Sequence, residues 1–112
     1  MVRGALVLLM LLAVACAGSE ERGRRLYQER GCAVCHGATG RGDGPSARRL
    51  DVRPRDFAST AGYTQGASRD DIAASIRRGA GAMPPFRDIS DAEAKEIAAW
   101  IVSLQRPSGG TR

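Results

Sequence analysis

Apolar residues recur at helical spacing in three stretches of this chain, and nowhere alternate with period two over a useful length. The clearest pattern is the last: Ala94, Ile97, Ala98, Ile101 and Leu104 return every three or four positions, which puts them on one helical face. Ser90 with Glu93 matches a capping box and Pro107 ends the pattern, so the spacing predicts a helix from Asp91 to about Leu104. A second helix is predicted over Arg69 to Arg78, with Ile72 and Ile76 four apart, Ser68 and Asp71 as its capping box and Gly79 as its stop. A third, charged segment from Glu20 to about Arg30 has Leu26 and Tyr27 as its apolar face. Between the charged segment and the Arg69 to Arg78 helix, Gly37 to Ala67 is rich in Gly, Pro and Arg, with room for a helical turn from Pro45 to Leu50. The fold class this implies is all-α with long loops, and loops of that length in a small domain tend to hold something.

The N-terminus is patterned differently. Met1-Val2-Arg3 is a short basic start, and Gly4 to Ala15 is an uncharged apolar run ending in small residues, the layout of a secretory signal. It falls short of the about 20 apolar residues of a transmembrane helix. Removal of residues 1–15 would leave Cys16 first, and "LLAVAC" resembles the lipobox of bacterial lipoproteins, in which that cysteine is acylated. Ala13-Val14-Ala15 also satisfies the ordinary small-x-small rule, which would give a plain exported protein. Acylation is the favoured reading because a free thiol is a liability in an oxidising compartment. The expected organisation is a signal over 1–15, a tether over 16–22, one domain over 23–106 and a polar tail over 107–112. The domain would sit outside the cytoplasm, on the periplasmic side, held to the membrane through Cys16.

Composition sharpens this picture in one respect. The aromatic residues are only Tyr27, Phe57, Tyr63, Phe86 and Trp100, little material for the core of so short a chain. A bound apolar cofactor would supply the missing core. The formal charge of +5 becomes +4 once Arg3 is removed, spread mainly over scattered arginines. Export and the lack of an aromatic-interleaved basic stripe argue against nucleic acid; the rest is compatible with a solvated basic surface, an anionic lipid or an acidic partner.

The candidate chemistry is concentrated in Cys32-Ala-Val-Cys35-His36, which contains the chain's only histidine. This is the C-x-x-C-H pattern of c-type haem attachment. On a turn of helix the two sulfurs face one side and can form thioethers with the haem vinyl groups, and His36 is then aimed at the iron. A zinc site wants four ligands, and the only other cysteine is Cys16. A thioredoxin-like pair should follow a strand, and none precedes it. A structural disulfide between Cys32 and Cys35 remains open but leaves His36 without a purpose.

From about Gly23 to Leu104 the chain resembles the small bacterial class I cytochromes c, with one haem. The likeness is carried by "GRRLYQERGCAVCHG", "GRGDGPSA", "RPRDF", "DDIAASIRRGAGAMPPF" and the "SDAEAKEIAAWIVS" helix followed by "LQ". It implies a cytochrome c-like fold of three main helices and long loops around one covalent haem c, with Gly23 or Tyr27 packed near Trp100 where the first and last helices cross. Met83 is the sole methionine after the leader, in a loop between glycines and Pro84-Pro85, at the position of the family's axial methionine. A lone methionine is more often gap-filling core; the loop context and the resemblance favour a ligand. Pro45 matches the position whose carbonyl accepts the second ring N–H of the ligand histidine. With His36 and Met83 as axial ligands no iron position stays open, which implies a single-electron carrier between redox protein partners rather than an enzyme; a monomer is expected. The alternatives are a haem subunit of a larger oxidoreductase, and a gas-binding sensor if Met83 is displaced.

Overall fold

The structure, a computed structural model, describes residues 18–106; the apolar leader, Cys16 and the tail over 107–112 lie outside them. Helix α1 runs over 18–29, α2 is the single turn Ala33–His36, α3 is Arg69–Arg78 and α4 is Asp91–Leu104. Short 3-10 turns occur at Ala47–Arg49 and Thr60–Gly62, and no strand occurs among the described residues. The fold is all-α with long loops, as the periodicity implies. The described part of the expected tether, 18–22, is the start of α1, which begins two residues before the Glu20 start that the pattern predicts, and Arg22 there reaches Glu96 of α4 at 3.3 Å.

Capping explains where two of these helices begin. Ser68 Oγ accepts the Asp71 N–H at 3.1 Å while the Asp71 carboxylate accepts the Ser68 N–H at 3.3 Å, a complete capping box. At α4 only half of the expected box forms. Ser90 Oγ accepts the Glu93 N–H at 3.1 Å, but the Glu93 carboxylate takes the Ser90 hydroxyl at 3.1 Å and the Arg30 guanidinium at 2.9 Å. Those two donors hold the Glu93 carboxyl below its usual range, Arg30 first. Arg30 also donates to Asp88 at 3.2 Å, so it straps the end of α1 to the start of α4.

The core lies where α1 and α3 meet α4. Ile72, Ala73 and Ile76 of α3 are buried, as are Ala94, Ile97, Ala98 and Ile101 of α4, and the two helices pack together. α1 crosses α4 at Gly23, where a Cβ would overlap the Glu96 carbonyl oxygen and come within 3.2 Å of the Trp100 Cβ. Only glycine lets the two backbones approach this closely. One turn on, the fully buried Tyr27 ring lies with its centroid 4.6 Å from that of Trp100. The crossing expected of Gly23 and Tyr27 with Trp100 is present.

Candidate functional site

The thiol turn hangs directly from α1. The Cys32 N–H donates to the Tyr27 carbonyl at 3.1 Å, and the His36 N–H to the Cys32 carbonyl at 3.0 Å, so the three candidate residues ride one helical turn. Both thiols are free and half-buried, with no disulfide joining them. Burial pushes the Cys32 thiol up, and Cys35 beside it adds to the shift. Beyond His36, the Gly37 carbonyl accepts the Tyr27 hydroxyl at 2.5 Å. Burial raises the Tyr27 phenol far above its ordinary value, with Cys32 and Asp43 contributing, so it stays a donor. Tyr27 thus links the helix crossing to the end of the thiol turn, a link with no signature in the sequence.

The His36 ring stacks on Phe57, with centroids 4.6 Å apart and planes 25° apart. Its Nδ1 lies 3.3 Å from the Arg55 carbonyl oxygen. The resemblance assigned this acceptor to Pro45; here Pro45 is exposed and the carbonyl comes from the "RPRDF" segment. Burial lowers the His36 pKa, the Arg55 carbonyl opposes that, and the Arg55 guanidinium reinforces it. The imidazole is therefore neutral, the form that binds metals. Arg55 and Phe57 went unassigned at the sequence level, where the only signal was an aromatic in a Gly- and Pro-rich loop.

Met83 reaches the site from the other side. The Met83 N–H donates to the Ala80 carbonyl at 2.9 Å and the Ala80 N–H to the Met83 carbonyl at 3.1 Å, closing a tight turn. The Phe86 N–H then donates to the Ile76 carbonyl of α3 at 3.0 Å, tying the far end of the loop down. Gly79 stops α3 at φ +85, and a Cβ there would press on the Met83 carbonyl oxygen at 2.9 Å. Without that glycine the loop could not fold back.

His36, Cys32 and Met83 share one cleft, whose apolar wall includes Tyr27, Ile76 and Ile97. Its volume is about 100 Å³, smaller than the ~300–1,000 Å³ of clefts that bury a whole drug-sized ligand. Among the described residues no three of His, Cys, Asp and Glu gather as a metal cluster. The donors lining it are an imidazole, a thioether and the Cys32 thiol among apolar walls, with Cys35 outside the lining on the same helical turn, and this set suits a flat, apolar group carrying its own metal.

Comparison with known proteins gives the family. A family model described as cytochrome c oxidase, cbb3-type, subunit III matches residues 18–101. Cytochrome c-551 of Azotobacter vinelandii is 34% identical over 89 residues, covering 74% of this chain and 98% of its own length. The chain belongs to the class I c-type cytochromes. It carries a covalently bound c-type haem and is an electron carrier of that family. The cytochrome is also similar to cytochrome c-552 of Hydrogenobacter thermophilus, 29% identical over 87% of this chain and 96% of that one. A chain of the reducing HAO-like protein complex of Kuenenia stuttgartiensis superposes with a TM-score of 0.70 at 32% identity, covering 79% of this cytochrome and 44% of that chain. The thiosulfate dehydrogenase of Psychrobacter arcticus is 34% identical over 78% of this cytochrome, which spans 26% of that protein.

Proposed function

We propose that the cytochrome carries single electrons with His36 and Met83 as axial ligands and with Cys32 and Cys35 as the thioether anchors. The observation that supports this most directly is that His36 and Met83 enter one apolar cleft from separately anchored segments. Haem supplies one-electron chemistry at iron, and the residues of this chain hold it, orient it and keep water away. His36 would be oriented by the Arg55 carbonyl and the Phe57 face. Ligand histidines are steadied in this way through their second ring nitrogen. A thioether opposite it favours ferrous iron and raises the potential. With both axial positions taken, the site has nowhere to bind substrate, which supports carriage rather than catalysis. Acidified acetone should leave the haem on the purified protein, and the ferric form should show the long-wavelength methionine–iron band. Extractable haem would sink the thioether assignment, and a missing band the Met83 assignment, leaving the gas-binding alternative.

A second reading, a fixed haem subunit, draws on the oxidase-subunit description of the family and on the structural neighbour being part of a complex. Export and acylation of Cys16 also stay part of the proposal; among the described residues no helix is long and apolar enough to cross a membrane. One preparation from detergent-solubilised membranes tests both points. Intact mass should show a lipid-modified N-terminal Cys16, and the haem should elute at the size of a monomer in its micelle. An unmodified N-terminus would overturn the anchor, and elution with large subunits would favour the fixed-subunit reading.

A further inference from the structure

On the side of α3 turned away from the haem cleft, α3 and the start of α4 form a second concavity. The haem cleft takes Ile72, Ser75 and Ile76 from α3. The second groove takes Asp70, Ala74, Arg77 and Arg78, which the helical period puts on the opposite face. Asp91 and Lys95 of α4 line it as well, together with Arg87 from the segment that joins the Met83 loop to α4. Its volume is about 530 Å³, within the ~300–1,000 Å³ of small-molecule clefts. Charged side chains line it where apolar ones line the haem cleft.

Four cations share this groove with two carboxylates, and both carboxylates are already matched. Asp91 takes Lys95 at 3.0 Å and Arg77 at 3.9 Å, and Lys95 ahead of Arg77 holds its carboxyl below the usual range. Asp70 pairs at 3.6 Å with Arg69, which is not part of the lining. Arg78 and Arg87 are exposed, and neither takes part in an ion pair among the described residues. The packing of α3 does not call for them, since Ile72, Ala73 and Ile76 bury its other face. Cations collected in a concavity repel one another, and an anion entering it relieves that repulsion. Guanidinium groups add paired N–H donors whose geometry matches phosphate oxygens. Ala74 is the one uncharged residue of the lining, and its short side chain leaves the α3 wall open between the charges.

We propose that this groove binds a small polyvalent oxyanion of the oligophosphate class, held by Arg78 and Arg87 with Arg77 and Lys95 beside them. Such an anion would tie together α3, α4 and the stretch that follows Met83. The site lies apart from the haem cleft, so the proposal stands whether or not the axial-ligand assignment does. An acidic protein segment fits less well. A run of carboxylates would have to pass Asp70 and Asp91, whereas a compact anion needs only the cations.

The test is calorimetric titration of the full-length haem-loaded cytochrome with sodium tripolyphosphate. One saturable site is expected, and Tm should rise with tripolyphosphate concentration, as it does for any ligand of the folded state. R78Q/R87Q should weaken binding on the order of tenfold or more and remove the rise in Tm. R25Q/R48Q, the same charge change at exposed arginines elsewhere, should weaken it by less than about twofold. A74L, which fills the groove without altering charge, should weaken it several-fold, and orthophosphate should bind on the order of tenfold more weakly than tripolyphosphate. The haem spectrum and the anion-free Tm of each variant establish that it is folded. The absence of a saturable site would overturn the proposal, as would equal losses in the two charge variants, an A74L protein that binds like the wild type, or orthophosphate binding as tightly. Binding to phosphatidylglycerol vesicles that R78Q/R87Q abolishes would assign the phosphate to a lipid headgroup, and tripolyphosphate binding without vesicle binding would assign it to a soluble anion. Polyglutamate binding that R78Q/R87Q abolishes, with no response to tripolyphosphate, would replace the small anion by an acidic protein.

Discussion

Exchanging Met83 for Ala lowers the reduction potential by on the order of 0.1 V, a modest part of the roughly 0.8 V range that axial ligands span. The loop should survive the exchange. Its turn is closed by main-chain bonds between Ala80 and Met83 and tied to α3 through Phe86 and Ile76, none of which uses the thioether. The variant therefore separates loss of a ligand from loss of the fold. The ferrous form should bind carbon monoxide, the methionine–iron band should vanish, and the haem should stay attached through Cys32 and Cys35. Spectroelectrochemical titration with a parallel carbon monoxide difference spectrum reads all of this. An unchanged potential together with no carbon monoxide binding would mean that another group holds the distal side.

Gly23→Ala is expected to destabilise the protein by about 2–3 kcal/mol, against the sign that helix propensity gives. In an exposed helix this change gains up to about 1 kcal/mol. Here the added methyl runs into the Glu96 carbonyl of α4, which is main chain and cannot swing away. Overpacking costs about 1–3 kcal/mol, and a clash with backbone belongs at the upper end. For a domain of this size the expected fall in Tm is about 8–20 °C, readable by thermal unfolding of the haem-loaded protein followed by far-UV circular dichroism. A Tm equal to or above that of the unaltered protein would show that α1 and α4 do not cross at Gly23.

The helices were legible because their signals are local. Ser68 with Asp71, the Ile72–Ile76 pair and Gly79 sit within a dozen positions and bracket α3 as observed. The Ser90 box was half right because its competitor, Arg30, lies far away in sequence, and no local rule weighs a distant guanidinium against a neighbouring N–H. The same holds at the site. Cys32, Cys35, His36 and Met83 announce themselves by residue type, which chemistry restricts to few choices. The acceptor for His36 is a main-chain carbonyl that any residue can provide, so the sequence pointed to Pro45 while the chain supplies Arg55. Phe57 behind the imidazole and Tyr27 on Gly37 are contacts set by how the long loop wraps α1, which composition does not encode.

The separate supports of His36 and Met83 bear on how the chain resists unfolding. One side of the cleft is tied to α1 and the other to α3, so ligation of one iron by both side chains, as proposed, would bridge two segments far apart in sequence. Unlike a disulfide, such a link is reversible and opens when the chain unfolds, so it would stabilise the folded state by its own bond strength. A thioether holds ferrous iron better than ferric, so that restraint is tighter in the reduced state. On the proposed ligation, taking up an electron would strengthen the fold, and giving it away would loosen it.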